Sequence, residues 1–230
     1  MIRTFTLLAA TLLATPTLAA ERNYPVGGFD RIALGGSPDV TVVTGHTPGV
    51  RATGEQKALD RIEIEVVDGT LRIGSKRGSS WGWSSGDSDR VRIAVTVPMV
   101  RGVSVGGSGT VTVDRVKVPA FAADISGSGS IKLASLDVQT ANFSVGGSGD
   151  VVAAGHCVSS RVNVGGSGDV KLGELRCGTL EVSLAGSGNV DASASRTATI
   201  SVAGSGDVHV TGGAKCTISK AGSGEVRCTA

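Results

Sequence analysis

The sequence predicts an all-β fold, a single-stranded parallel β-helix with coils of about 18–20 residues. Two observations lead to this prediction. On both sides of a recurring Gly-Ser-Gly tripeptide, apolar and polar residues alternate, which is the pattern of a strand with one buried face. The tripeptide occurs seven times at intervals of 20, 20, 19, 20, 18 and 18 residues, centred on Ser108, Ser128, Ser148, Ser167, Ser187, Ser205 and Ser223.

Residues aligned on these serines form four apolar columns, at three and five positions before and after each serine. The column three positions before reads Val105, Ile125, Val145, Val164, Leu184, Val202 and Lys220. One repeat cannot bury so narrow an apolar face alone, so the coils are expected to stack, and seven coils spaced about 4.8 Å apart predict a rod segment of about 35 Å. Lys220 breaks its column in the last repeat, as expected of an end cap.

The tripeptide itself is interpreted as a structural corner between two strands. Glycine adopts the backbone conformations of a sharp corner easily and lets stacked corners approach closely. We expect the serine hydroxyls to form a ladder along the rod. Two positions after each serine, turn-forming Asp and Asn are expected to bond the local backbone, in a column that reads Thr110, Ser130, Asp150, Asp169, Asn189, Asp207 and Glu225.

The chain divides into a front part, residues 21–100, and the regular coils, residues 101–230. The front part is predicted to form irregular first coils and the cap of the same domain. Leu34 to Val42 is a degenerate unit in which Pro38 replaces the second glycine. Asp68-Gly69 predicts a hairpin or corner between two strands. Lys57 to Ile64 has a weak helical period, and most of it is predicted to be strand.

Residues 1–20 have the pattern of a cleaved secretory signal peptide, with Arg3, an apolar stretch and small residues before a cut after Ala19 or Ala20. No later apolar stretch is long enough to span a bilayer. The mature chain is therefore expected to be exported, to the periplasm or the extracellular surface of a bacterium. The charges nearly balance, 22 Lys and Arg against 20 Asp and Glu, and no basic stripe predicts a nucleic-acid partner.

Four cysteines in an exported chain predict disulfides. Cys157 and Cys177 each stand ten residues before the next central serine, so stacking places one above the other. Cys216 and Cys228 remain and are twelve residues apart. The sequence thus predicts Cys157–Cys177 and Cys216–Cys228, with zinc binding disfavoured because no Cys-x-x-Cys spacing occurs.

The chain resembles one known family, the putative autotransporter adhesin, head GIN domain proteins. The resemblance rests on Phe29-Asp30-Arg31-Ile32, on Asp68-Gly69-Thr70-Leu71-Arg72-Ile73, and on Val103 to Gly109 with its successors. It covers roughly Tyr24 to Cys228 and implies a right-handed parallel β-helix in an exported bacterial protein. It implies no catalytic residues, and the loop at Trp81 and the four cysteines depart from the family pattern.

Three chemistries are alternatives to a structural role. A serine nucleophile is disfavoured, because Gly-x-Ser-x-Gly is absent and the three histidines keep no fixed offset from the serines. Calcium binding by Asp150 and Asp169 is a minor alternative to solvated turn residues. A polysaccharide lyase is a second alternative, but the column four positions after the serine mixes its charges: Thr112, Lys132, Val152, Lys171, Asp191, His209 and Arg227.

Both tryptophans of the chain, Trp81 and Trp83, lie in one Ser- and Gly-rich loop. Two aromatic rings on a loop can stack on a sugar or grip a partner, and the alternative is that they cover an apolar surface. The sequence therefore predicts a non-catalytic exported module, without cofactor, that binds a cell-surface glycan or protein. A purely structural envelope protein and a carbohydrate-active enzyme remain the alternatives.

Overall fold

The computed structural model describes residues 20–76 and 91–229. They form a β-solenoid of about six turns whose parallel coils hold about 20 residues each, which confirms the predicted fold class. The described elements are β1 (Ala20–Tyr24), β2 (Arg31–Leu34), β3 (Asp39–Thr44), β4 (Gly49–Gly54), α1 (Gln56–Arg61), β5 (Ile62–Val67), β6 (Thr70–Ser75), β7 (Arg92–Val97), β8 (Gly102–Val105), β9 (Thr110–Val113), β10 (Val116–Ile125), β11 (Ser130–Val145), β12 (Asp150–Gly166), β13 (Val170–Gly186), β14 (Val190–Gly204), β15 (Val208–Thr211), β16 (Lys215–Ala221) and β17 (Val226–Cys228).

The first coils do not stack in chain order. Strand β2 pairs in parallel with both β6 and β8, and β3 pairs in parallel with both β7 and β9. The coil β2–β3, which carries the degenerate unit, therefore lies between the coils β6–β7 and β8–β9. From β8 onward each coil stacks on the one before it, through β10 to β17.

The end of the stack at the coil β6–β7 is covered by antiparallel strands and by α1. Strand β4 pairs with β7, β1 pairs with β4, and β5 pairs with β6. The strand prediction for most of Lys57 to Ile64 is wrong, because α1 runs to Arg61 and the strand begins at Ile62. Ala58 and Leu59 are adjacent and both buried. A strand would point them to opposite faces, whereas a helical turn can bury both against the end of the core.

Strands β5 and β6 form a hairpin with a two-residue turn. Asp68 and Gly69 have φ angles of 50° and 72°, so both adopt the left-handed conformation that a type I′ turn requires. The structure thus selects the hairpin from the two alternatives that this dipeptide predicted.

The four predicted apolar columns face the interior. Val145 and Val164, for example, expose only 1% and 2% of their surface. The last coil differs, because Ile218 is 46% exposed and Lys220 is also exposed. Among the described strands, β16 pairs only with β14, and β17 pairs only with β15. The solenoid therefore has one end closed by strands and a helix, and one end with open strand edges.

Candidate functional site

The seven predicted corner serines lie along one edge of the solenoid. The parallel ladder continues through the corner, since the N–H of Ser128 donates to the carbonyl oxygen of Gly107 at 3.0 Å and the bond repeats at later corners. A Cβ added to Gly129 would overlap the carbonyl oxygen of Gly109 in the coil before. Close approach of stacked corners therefore requires glycine on both sides of the serine, consistent with the structural interpretation of the tripeptide.

The predicted ladder of serine hydroxyls is limited to one pair. Ser205 Oγ and Ser223 Oγ are 3.3 Å apart, and within residues 20–76 and 91–229 no hydrogen bond joins any other two corner serines. All seven serine side chains are exposed. Coils spaced about 4.8 Å apart keep stacked hydroxyls beyond hydrogen-bond distance unless they lean together. In the same described residues no histidine bonds a corner serine, so no Ser–His pair is assembled there.

In the column two positions after the corner serines, Asp and Asn side chains form hydrogen bonds between successive coils. The N–H of Asp169 donates to Asp150 Oδ1 (3.2 Å), that of Asn189 to Asp169 Oδ1 (3.2 Å), and that of Glu225 to Asp207 Oδ1 (2.7 Å). These side chains were expected to bond the backbone of their own turn. They bond the next coil instead, because stacking places the following backbone N–H directly beside each side chain.

In the described residues, no further metal-ligating side chain joins Asp150 and Asp169 to form a calcium site. In that part of the chain no group of three or more His, Cys, Asp or Glu side chains is placed to hold a metal ion. One oxygen of each carboxylate already accepts a backbone hydrogen bond. The calcium interpretation stays a prediction that calorimetric titration tests.

The charged column considered for lyase chemistry lies in register on one outward face. Lys171 Nζ is 3.9 Å from Asp169 Oδ2, and the imidazole Nδ1 of His209 is 4.0 Å from Asp191 Oδ1. A lyase needs several carboxylates and a base converging on one point. One groove of about 360 Å³ on this side of the solenoid is lined by Asp169, Lys171, Asn189, Asp191, Asp207 and His209. The lyase alternative therefore stays a prediction that activity on uronic-acid polymers tests.

A second outward face holds a groove of about 620 Å³. We call it the face groove. Its wall is the β5–β6 hairpin, which contributes Glu63, Glu65 and Arg72. Its floor is the sheet formed by β2, β8, β10 and the end of β11, with the outward residues Ala33, Gly35, Ser104, Gly106, Asp124, Ser126, Ser144 and Gly146.

The floor of the face groove is flat because its outward residues are small. Ala33, Ser104, Asp124 and Ser144 are direct neighbours across successive strands. Beyond the groove the same row continues with Asn163 and then with Ser183, Ser201 and Ser219. Because side chains stand perpendicular to a sheet, short ones leave the backbone surface accessible to a long, flat ligand.

Both predicted disulfides are present. Cys157 and Cys177 are direct partners on β12 and β13, with Cα atoms 4.5 Å apart, and both are buried. Cys216 and Cys228 join β16 to β17 with Cα atoms 6.6 Å apart. The first bond links two stacked coils, and the second links two strands of the last coil.

Arg22 links strand β1 to the end of α1. Its Nη1 donates to the carbonyl oxygen of Leu59 at 3.1 Å, and its Nη2 donates to Asp60 Oδ1 at 2.6 Å. The hydrogen bond from Arg22 lowers the pKa of Asp60 below its ordinary value, and the same bond raises the pKa of Arg22. This pair joins β1 to α1 at the closed end of the solenoid.

Trp81 and Trp83 lie outside the described residues, so their role as binding residues stays a prediction. They belong to residues 77–90, between Lys76 and Val91. This segment joins β6 to β7, which are the partners of β2 and β3.

A comparison with known families decides the family of this chain. The description of the putative auto-transporter adhesin, head GIN domain matches residues 28–214. The chain belongs to this family. No curated protein matches the chain. Among the described residues, the head GIN domain chain has no helix long and apolar enough to cross a membrane.

Solved structures share the fold of this head GIN domain chain. A putative adhesin from Bacteroides fragilis is 23% identical, with a TM-score of 0.84 over 93% of this chain and 98% of that one. A putative lipid binding protein from Parabacteroides distasonis is 21% identical, with a TM-score of 0.73 over 94% and 98%. At such identities the likeness shows the β-solenoid fold alone.

Sequence reasoning did not find the face groove. Its wall and floor come from segments that are far apart in the chain, the hairpin at residues 62–75 and outward residues at 33–35 and 104–146. The one available signal was the row of Ser, Ala and Gly at outward positions. That row identifies a flat face, but not the hairpin that turns it into a groove.

Proposed function

We propose that this head GIN domain chain is an exported, non-catalytic binding module of the adhesin type. Family membership supports the adhesin class. Two disulfides fit an oxidising compartment, either the periplasm or the bacterial surface. The observation that carries the proposal is the face groove, whose volume lies within the range of about 300–1,000 Å³ typical of ligand sites.

The chemistry of the face groove suits an extended polymer. Its flat floor offers the hydroxyls of Ser104, Ser126 and Ser144, which both donate and accept hydrogen bonds. The hairpin wall adds the carboxylates of Glu63 and Glu65. A surface glycan can lie along such a floor and bond its hydroxyl groups to both sets. A glycan is therefore the ligand class we assign to this groove.

A glycan array tests this proposal with two matched variants of the mature protein. Ser104→Trp fills the groove, whereas Ser183→Trp places the same ring in the same outward row, beyond the groove. We expect binding of the unmodified protein to at least one glycan class, loss with Ser104→Trp, and retention with Ser183→Trp. Absence of binding to any glycan, or equal binding by both variants, would reject the assignment.

Two companion measurements address the alternative functions. Incubation with uronic-acid polymers, followed by absorbance of unsaturated products, detects lyase activity, and a clear signal would overturn the non-enzyme part of the proposal. Amino-terminal sequencing of the protein recovered from the cell envelope tests export. We expect a mature chain that begins at Ala20 or Glu21.

A further inference from the structure

A second groove lies where one coil is a residue shorter than its neighbours. The coil from Ser148 to Ser167 spans 19 residues, and the coils on either side span 20. The missing residue falls where the register between β11 and β12 shifts, between Leu133 and Leu136, and we call this part of each coil its second corner. There Ala153 pairs with Leu133 and Gly155 pairs with Leu136. The chain therefore advances by three residues in the coil before and by only two in the short coil.

The register on the other side of the short coil shows the same shift. Val152 pairs with Lys171 and Gly155 pairs with Leu175, so the short coil advances by three residues where the following coil advances by four. Gly155 has a φ of 130°, and a Cβ there would overlap the backbone of Leu136. The short coil is thus drawn in at this corner, and the corners of the neighbouring coils extend past it.

The resulting depression is about 440 Å³ in volume, and we call it the corner groove. Its surface is mainly apolar, with small residues Ala134, Ala154 and Gly173 from three successive coils. Val152 borders them and is 40% exposed. An exposed valine beside three small residues forms a local apolar surface in an otherwise polar column.

Four charged side chains line the corner groove. Lys132, Val152 and Lys171 are direct neighbours on successive strands, so the two lysines are about 9.6 Å apart at the backbone, on either side of the valine. In the described residues Lys132 makes no ion pair, and Lys171 is 3.9 Å from Asp169. Glu174 lies at the corner, and Asp191 is the strand neighbour of Lys171.

We propose that the corner groove binds an amphiphile with a single negative charge. Flexible ammonium groups from both sides can converge on one anion above Val152, since each lysine stem reaches several ångströms. The alkyl chain then covers Val152, Ala134 and Ala154 and removes this apolar surface from water. Glu174 and Asp191 repel a second negative charge, which selects a monoanionic headgroup. This site is separate from the face groove and does not depend on the function proposed for that groove.

The test is a titration of the mature protein with decanoate, followed by two-dimensional amide NMR. We expect saturable binding at one site, with shifts confined to residues around 132–134, 152–154 and 171–174. Acetate carries the headgroup alone and decyltrimethylammonium carries the opposite charge, so neither should bind there. Binding of the cationic amphiphile with equal affinity, or shifts elsewhere only, would overturn the proposal.

Two variants and two controls sharpen the test. Lys132→Met keeps an apolar stem without the charge and should weaken decanoate binding at least fivefold, and Val152→Asp should abolish it. Lys117→Met and Val158→Asp change exposed residues that do not line the groove, and both should bind like the unmodified protein. The amide spectra verify that each variant is folded. Unchanged affinity in both groove variants would reject the site, whatever the glycan array shows.

Discussion

Lys220 Nζ donates a hydrogen bond of 2.7 Å to the carbonyl oxygen of Gly224, across the open end of the last coil. The lysine occupies an inward column position that is apolar in every earlier repeat. Its charge lies beside the unpaired edges of β16 and β17, where an apolar side chain would favour pairing with another chain.

We therefore expect Lys220→Val to make the protein associate through this end. Light scattering coupled to size-exclusion chromatography should show an oligomeric mass that rises with concentration. Lys117→Val, an exposed lysine on an outward position within the stack, serves as the control and should leave the mass unchanged. A Lys220→Val variant with the same mass as the unmodified protein at every concentration would contradict the capping role.

Val164→Asp tests the stacked core. Val164 is 2% exposed between Val145 and Leu184, so the substitution buries an unpaired charge and should lower the free energy of unfolding by more than about 4 kcal/mol. Asn163→Asp places the same charge one residue earlier on the outward face and should change it by less than about 0.5 kcal/mol. Denaturant unfolding followed by circular dichroism measures both, and equal stability of the two variants would refute the inward assignment.

Ser160 offers a substitution of the opposite sign. It is 5% exposed and its hydroxyl has no hydrogen-bond partner in the described structure. Removing an unsatisfied buried hydroxyl with Ser160→Ala should raise the free energy of unfolding by about 1 kcal/mol and the Tm by about 2–4 °C. Its neighbour Ser159 bonds the carbonyl oxygen of Gln139 at 3.4 Å, so Ser159→Ala should not stabilise. A lower Tm for Ser160→Ala would show that its hydroxyl is satisfied.

The Arg22–Asp60 pair predicts a pH dependence of the closed end. The hydrogen bond from Arg22 holds the pKa of Asp60 below its ordinary value. Its contribution to stability is therefore fully present above about pH 4 and is lost as the pH falls through the folded-state pKa. In thermal melting from pH 7 to pH 2, the Tm of the unmodified protein should exceed that of Asp60→Asn at neutral pH. This difference in Tm should disappear in acid. Glu63→Gln, on the exposed hairpin, is the matched control. A Tm difference between the unmodified protein and Asp60→Asn that stays constant with pH would contradict a stabilising role for the Arg22–Asp60 pair.

The tryptophan segment gives a prediction that rests on sequence alone. Replacing Trp81 and Trp83 together with alanine should reduce glycan binding and leave the melting temperature nearly unchanged, because rings that bind a partner contribute little to the core. The phenylalanine pair at the same positions keeps two aromatic rings and should retain more binding. A large drop in melting temperature with alanine would show instead that the rings pack against the protein.

Particular residues show how far sequence reasoning extended. The position of Cys157 and Cys177 relative to their serines sufficed to pair them, because a regular period converts spacing along the chain into stacking. The strand prediction was wrong for most of Lys57 to Ile64, because the alternation of apolar and polar residues begins only at Ile62. The burial of adjacent Ala58 and Leu59 depends on strands β1 and β4 that come together from elsewhere in the chain.

The repeat by itself determined which side chains face inward, where the corners lie and why glycine is needed there, since these follow from a two-residue strand period and an interval near twenty. Only the tertiary structure decided which coils are neighbours. It placed β2–β3 between β6–β7 and β8–β9 and turned the β5–β6 hairpin into the wall of a groove. The physical reason is that period and alternation are local properties of a chain, whereas the order of stacked coils depends on contacts between distant segments.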